Sequence, residues 1–155
     1  MTKFLATQTG QKLAYSFTKG TGPTVVFLGG FKSDMEGSKA IFLEKWAKKR
    51  NRSFLRFDYS GHGQSTGDFL NLGIGDWFND TKQIIELTKN NGLILIGSSM
   101  GGWISLLLSR ELGSRLKGLI TIAAAPDFTE DSMWKNFTED QKKEVLKKGV
   151  LYLPS

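Results

Sequence analysis

A chain of 155 residues, 39% of them apolar, can build one domain with its own core but not two comfortable ones. It has no cysteine, which excludes a disulfide framework, a thiolate metal site and a cysteine nucleophile, so any chemistry falls to oxygen and nitrogen groups. The net charge of +6 is concentrated in "KWAKKRNR" (45–52) and "KKEVLKK" (142–148), but both stretches read as polar faces or ends of helices, and no nucleic-acid motif accompanies them.

Taken in chain order, "KFLATQ" and "KLAYSF" alternate apolar and polar residues on either side of Gly10 and predict an antiparallel hairpin with one solvated face. "TVVFL" (24–28), "SFLRF" (53–57), "LILI" (93–96) and "LITIAA" (119–124) are short, branched and apolar, as buried parallel strands are. Helix-length segments lie between them, near 36–50, 76–90 and 101–112; in the first, Ile41, Phe42, Lys45 and Trp46 recur at helical spacing. Strands alternating with helices predict an α/β fold with a mostly parallel sheet. After Pro126 two short polar helices are expected, starting at Thr129 and Thr138, the second stopping at Gly149. No run of about 18 apolar residues and no apolar leader segment occurs, so the expectation is a soluble, cytoplasmic protein with no transmembrane segment.

"GSSMG" (97–101) fits G-x-S-x-G with Ser99 in the third place, between a predicted strand and a predicted helix. A serine in so sharp a turn has a strained backbone, and the positions two before and two after it must lack side chains that would collide. The gain is an exposed hydroxyl at a helix N-terminus, where the dipole and the Met100 amide favour negative charge. Ser98 occupies the free position of the motif and is expected to be structural, while Gly102 gives room for close helix packing. Taken alone, the pattern also fits a tight turn with a solvated serine. Two further turns point to the same place. "FLGGFKSD" (27–34) puts a glycine turn after a central strand, so the backbone amide of Phe31 is expected to join that of Met100 as an oxyanion donor, and "RFDYSGHGQS" (56–65) closes the next strand with an Asp, a bend and two glycines.

These stretches, with "GDWFND" and "KKGVLYLPS", resemble the α/β-hydrolase superfamily. Within it they are similar to the branch that holds the mitochondrial palmitoyl-protein thioesterase, which also cleaves acyl glucuronides, and its bacterial relatives. The resemblance runs from about residue 24 to the end. It implies an α/β-hydrolase fold with helices on both faces of the sheet: residues 1–126 form the N-terminal part of the core and 127–155 the start of a cap or lid, the chain being truncated before the last strands. It also implies a Ser, Asp, His triad that hydrolyses carboxylic esters or thioesters, of small molecules or acylated proteins, with no cofactor and no metal. Of that machinery only Ser99 and the amides of Phe31 and Met100 fall on matching positions.

In the family the acid and the histidine follow the nucleophile in the chain. Here the only histidine is His62, upstream in the "GHG" turn, and it is expected to be dispensable for chemistry. Asp127 has no imidazole to orient and is expected at the start of the cap or of a helix. A serine without a base is a poor nucleophile, so the chain alone is expected to be nearly inactive, with an apolar sheet edge open at its sixth strand. Two readings stay open: the nucleophile half of a serine esterase or thioesterase, completed by a complementary C-terminal polypeptide, or a non-catalytic remnant that binds through the old pocket. Phe31, Trp103 and Trp134 are candidates to line an acyl pocket.

Overall fold

The computed structural model describes residues 1–89 and 92–153. The elements are β1 (Lys3–Ala6), β2 (Lys12–Thr18), β3 (Thr21–Leu28), α1 (Ser38–Lys49), β4 (Arg52–Phe57), α2 (Ile74–Ile84), β5 (Leu93–Ser98), α3 (Met100–Leu112), β6 (Leu116–Ile122) and α4 (Glu139–Lys148). One compact unit spans Met1–Ala125, and a second begins at Pro126.

The sheet order is β1-β2-β4-β3-β5-β6. The hairpin β1/β2 and the pair β2/β4 are antiparallel, while β3/β4, β3/β5 and β5/β6 are parallel. In β3, Val25, Val26, Phe27 and Leu28 are all buried, as befits a central strand covered on both faces. From β3 the chain steps to β4 on one side, then crosses back to β5 on the other; right-handed crossovers therefore place α1 on one face and α2 and α3 on the opposite face. Ala40 and Ala47 of α1 pack on Val25, Phe27, Phe54 and Ile96, the alanines allowing close approach. Because the helices after β3 and β5 leave on opposite faces, a crevice opens at the carboxyl ends of these two neighbouring strands. At the far edge β6 pairs only with β5 among the described residues, and its Ile120 and Ile122 are exposed; the strand read as buried from "LITIAA" has no buried residue, because one of its edges and much of its faces are uncovered among the described residues.

Several expected boundaries move for local reasons. The helix placed at 76–90 starts at Ile74, capped by Asp76 accepting from Gly73 N–H at 2.9 Å, and tightens to a 3-10 turn over Ile85–Thr88; Asn90 lies outside the described residues. β6 stops at Ile122 because Ala123 turns to φ 46°. Thr129 caps nothing: Phe128 precedes a single π-helical turn over Thr129–Trp134, whose first amides, those of Glu130 and Asp131, donate to the Asp127 carbonyl. Thr138 is a true cap, exchanging bonds with Gln141 in both directions, and Gly149 closes α4 at φ 74°. Within α1 the sequence spacing suggested Phe42 and Lys45 on the same stripe as Ile41 and Trp46. The observed buried stripe is instead Ala40, Glu44 and Ala47, with Phe42 and Lys45 exposed.

Candidate active site

Ser99 follows β5 directly and stands at φ 53°, ψ −119°, a conformation that ordinary side chains avoid. The glycines around it make that turn possible. A Cβ on Gly97 would run into the backbone of Gly101, and one on Gly101 into the carbonyls of Leu28 and Gly29 at the end of β3. Gly102 likewise faces Ala124 too closely for a side chain. The Ser99 backbone is fully used: its N–H donates to Ile122 C=O at 3.0 Å, and its C=O accepts from Gly102, Trp103 and Ala125. Its hydroxyl makes no cap bond, and the residue is half-buried, so the hydroxyl is held out rather than folded back. Ser98 beside it is buried. Strain of this kind costs about 1–3 kcal/mol. Ser99→Gly is therefore expected to raise stability by about 1 kcal/mol, a Tm increase of roughly 2–4 °C, read by thermal melting. An unchanged or lower Tm would show that the turn is unstrained.

Ser98 and Ser99 share a cleft of about 270 Å³ with Gly29, Gly30, Phe31 and the first residues of α1. A Cβ on Gly30 would sit 3.4 Å from Ser99 Cβ, so the turn after β3 lies against the serine. Met100 opens α3, and its N–H belongs to the first helical turn, which has no intrahelical acceptor. The structure thus brings Phe31, Ser99 and Met100 to one place. Of the proposed acyl-pocket residues, Phe31 lines this cleft. Trp103 lies on α3, outside the cleft's lining among the described residues, and Trp134 packs on Phe137 within the second unit, at 6.1 Å between ring centres.

The turn after β3 is held by the residues that leave β4. The Tyr59 hydroxyl donates to Gly29 C=O at 3.3 Å; burial pushes this phenol far up, so it stays a donor. Arg56 Nη1 donates to Met35 C=O at 2.9 Å, while Asp58 Oδ1 accepts Met35 N–H at 2.6 Å, so one buried residue is gripped from both sides. Asp58 also accepts Gln64 N–H at 2.9 Å, and Gly63, at φ 48°, has no room for a Cβ against that carboxyl. Burial, reinforced by Asp34 and Glu36, raises the Asp58 pKa against the two backbone bonds. Asp80, raised for the same first reason, accepts the Ser60 amide at 2.8 Å and hydroxyl at 2.5 Å. These roles of Arg56, Tyr59 and Asp80 are not visible in the sequence. The available signal was the polar string "RFDYS" at the end of an apolar strand, where buried polar groups need partners.

His62 is buried among the rings of Tyr59, Phe69 and Trp77. Its Nε2 accepts the Lys32 N–H at 3.2 Å, and its Nδ1 lies 3.2 Å from Ser60 C=O, an arrangement that fits the Nδ1–H tautomer. With both nitrogens engaged, the ring holds Lys32, at φ 55°, beside the Phe31 amide and has no nitrogen for Ser99. In a completed enzyme His62→Ala is expected to slow Ser99-dependent hydrolysis by about tenfold to a hundredfold through a loosened turn. A loss matching that of Ser99→Ala would make His62 the base.

The site is thus a strained serine turn after β5, a glycine turn after β3 and a crevice between them. The family model described as Hydrolase_4, serine aminopeptidase S33, matches residues 21–150. The chain belongs to this family. Human mitochondrial palmitoyl-protein thioesterase ABHD10 is 37% identical to this Hydrolase_4 chain over 143 residues, 92% of this chain and 46% of that protein. The structure of mouse alpha/beta hydrolase domain-containing protein 10 superposes with a TM-score of 0.89 at 34% identity, covering 99% of this chain and 61% of that one. A protein from Agrobacterium vitis S4 superposes at 0.90 with 32% identity, covering 100% and 64%. The chain spans about half the length of the curated relatives it matches. Its fold is the α/β-hydrolase fold, mostly parallel with helices on both faces.

Proposed function

We propose that this chain carries the nucleophile and oxyanion hole of a serine hydrolase acting on carboxylic esters or thioesters, of small molecules or of acylated proteins. The single observation that carries the reading is the strained, half-exposed Ser99 at the head of α3, in a turn that side chains at Gly97 and Gly101 would block. Ser99 Oγ attacks the acyl carbonyl carbon and gives its proton to a base. The oxyanion is received by the Phe31 and Met100 amides, the thiol or alcohol leaves with the proton, and water then releases the acid from the acyl-enzyme. The ABHD10 relatives, named as palmitoyl-protein thioesterases, favour an acyl thioester as substrate.

The base and the acid come, in this proposal, from a complementary C-terminal polypeptide whose strand would pair with the open edge of β6. No cofactor or metal enters the reaction. Residues 127–155 then belong to the start of a cap or lid region. One observation favours the second reading, a non-catalytic binding module: the only imidazole of the chain has both nitrogens committed elsewhere. The two are separated by supplying a segment that bears an Asp and a His, then measuring turnover of a palmitoyl thioester and an aryl ester. Hydrolysis that disappears in Ser99→Ala carries the proposal. A folded complex that never reacts at Ser99 leaves the binding module.

A further inference from the structure

The surface of α1 is unlike that of every other helix described. Residues 39–50 hold five cations, Lys39, Lys45, Lys48, Lys49 and Arg50, against one acid, Glu44, which is buried and paired with Arg56. Several cations of the other helices and turns face carboxylates: Lys82 meets Glu111, Arg115 meets Glu86, and in α4 Lys142 and Lys148 meet Glu139 and Glu144. On α1 only Lys48 has such a partner, and that partner is the Glu44 already shared with Arg56. Among the described residues Lys39, Lys45 and Lys49 have none within ion-pair distance. In the middle of this cationic face stands Phe42, 69% exposed. With Ala40, Glu44 and Ala47 facing the core, the three- and four-residue steps from Phe42 to Lys45 and Lys49 put these three on the outermost ridge. Arg50 lies over the Trp46 ring at 5.1 Å, and the bond from Thr21 N–H to Asn51 C=O places exposed Lys19 close to the same end of the helix.

A solvated face needs neither an exposed phenylalanine nor the exclusion of every exposed acid. We propose that the outer face of α1 docks on an anionic lipid surface, with the lysines over the headgroup phosphates and Phe42 entering the interfacial layer. Clustered Lys and Arg on a helix are drawn to the negative surface potential of a bilayer, and an aromatic ring among them adds an apolar contact that salt does not screen. No helix among the described residues is long and apolar enough to cross a membrane, so the contact is at the surface. A nucleic acid would also take the cations, but it rewards an aromatic ring by stacking within a groove, and Phe42 stands on a convex ridge. The docking does not depend on the chemistry of Ser99. It would bring the cleft near the lipid, since Ser38, Lys39 and Ala40 at the start of α1 also line the wall shared with Ser99.

The test is co-sedimentation of the purified 155-residue chain with vesicles of phosphatidylcholine alone and of phosphatidylcholine mixed with phosphatidylglycerol. Binding to the mixed vesicles is expected to be at least about tenfold stronger. Lys45→Glu with Lys49→Glu is expected to remove that advantage. Phe42→Ala is expected to weaken binding about fivefold and to make what remains more sensitive to salt. A charge-matched control, Lys143→Glu with Lys147→Glu in α4, is expected to bind nearly as the parent does. The proposal is overturned by equal binding to the two vesicles, by a control that loses as much as the α1 pair, or by Phe42→Ala binding like the parent. It is overturned in favour of nucleic acid if an oligonucleotide displaces the chain from vesicles and its own binding ignores Phe42.

Discussion

Replacing Ser99 with alanine, in the chain completed by a segment that carries an Asp and a His, is expected to lower thioester and aryl-ester turnover by a thousandfold or more. The 155-residue chain alone is expected to show little turnover and slow labelling by a serine-directed fluorophosphonate. Both expectations rest on the same chemistry. A serine hydroxyl at neutral pH is weakly nucleophilic, and the elbow supplies exposure and a favourable dipole but no proton acceptor. His62 cannot act as one while its Nε2 receives Lys32 N–H and its Nδ1 is held at Ser60 C=O. A histidine within about 3 Å of Ser99 Oγ has to come from the added segment, and labelling should rise with it. Ser98→Ala is expected to spare activity, because Ser98 is the last residue of β5 and, although it borders the cleft, is itself buried. Rapid labelling and full turnover by the 155-residue chain would refute this account, since the base would then lie among residues with other duties.

The elements that position Ser99 were legible because their causes are local. An apolar run as short as "LILI", with Gly92 and Gly97 at its ends, reads as a buried strand by its length and flanks, and Gly97 and Gly101 at fixed offsets from a serine mark a turn that side chains would block. The clamp on the neighbouring turn was not legible. Arg56 and Asp58 grip the two backbone groups of Met35 across more than twenty residues of sequence, and nothing in a side chain's identity says which distant amide it will meet. His62 shows the same limit in another form: its exclusion as a base was suggested by chain order, but its hold on Lys32 follows only from the three-dimensional path of the turn. In α1 helical spacing gave the helix but not its rotation. The residue turned inward is Glu44, which sequence would assign to solvent, and it is inward because Arg56 and the hydroxyls of Ser16 and Thr18 await it there.

That buried pair carries the largest stability effect expected in the fold. The side chains of Glu44 and Arg56 are 7% and 9% exposed, joined at 3.2 Å, and the guanidinium also binds Met35 C=O and Glu36. Burial, the strongest influence on Glu44, opposes its charge, but Arg56, Thr18 and Lys48 together hold its carboxyl below the ordinary value. Arg56→Met strands that carboxylate without its main partner and is expected to cost about 3–5 kcal/mol by denaturant melts. Glu44→Gln added to it removes the stranded charge while keeping an acceptor for Ser16 and Thr18, so the double variant is expected to cost about 1–3 kcal/mol less than the sum of the singles. The sign of the pH dependence follows from the lowered pKa: the contribution of Glu44 is present above its unfolded value, near 4.5, and is lost as pH falls through the lower folded one. Asp58 and Asp80, both raised, act in the opposite sense, favouring the fold at low pH and giving that up as pH rises. The stability difference between the parent and Glu44→Gln isolates the first effect, and it should shrink on acidification below that value. A difference independent of pH, or a double variant no better than the sum, would show that Arg56 serves the fold through Met35 alone.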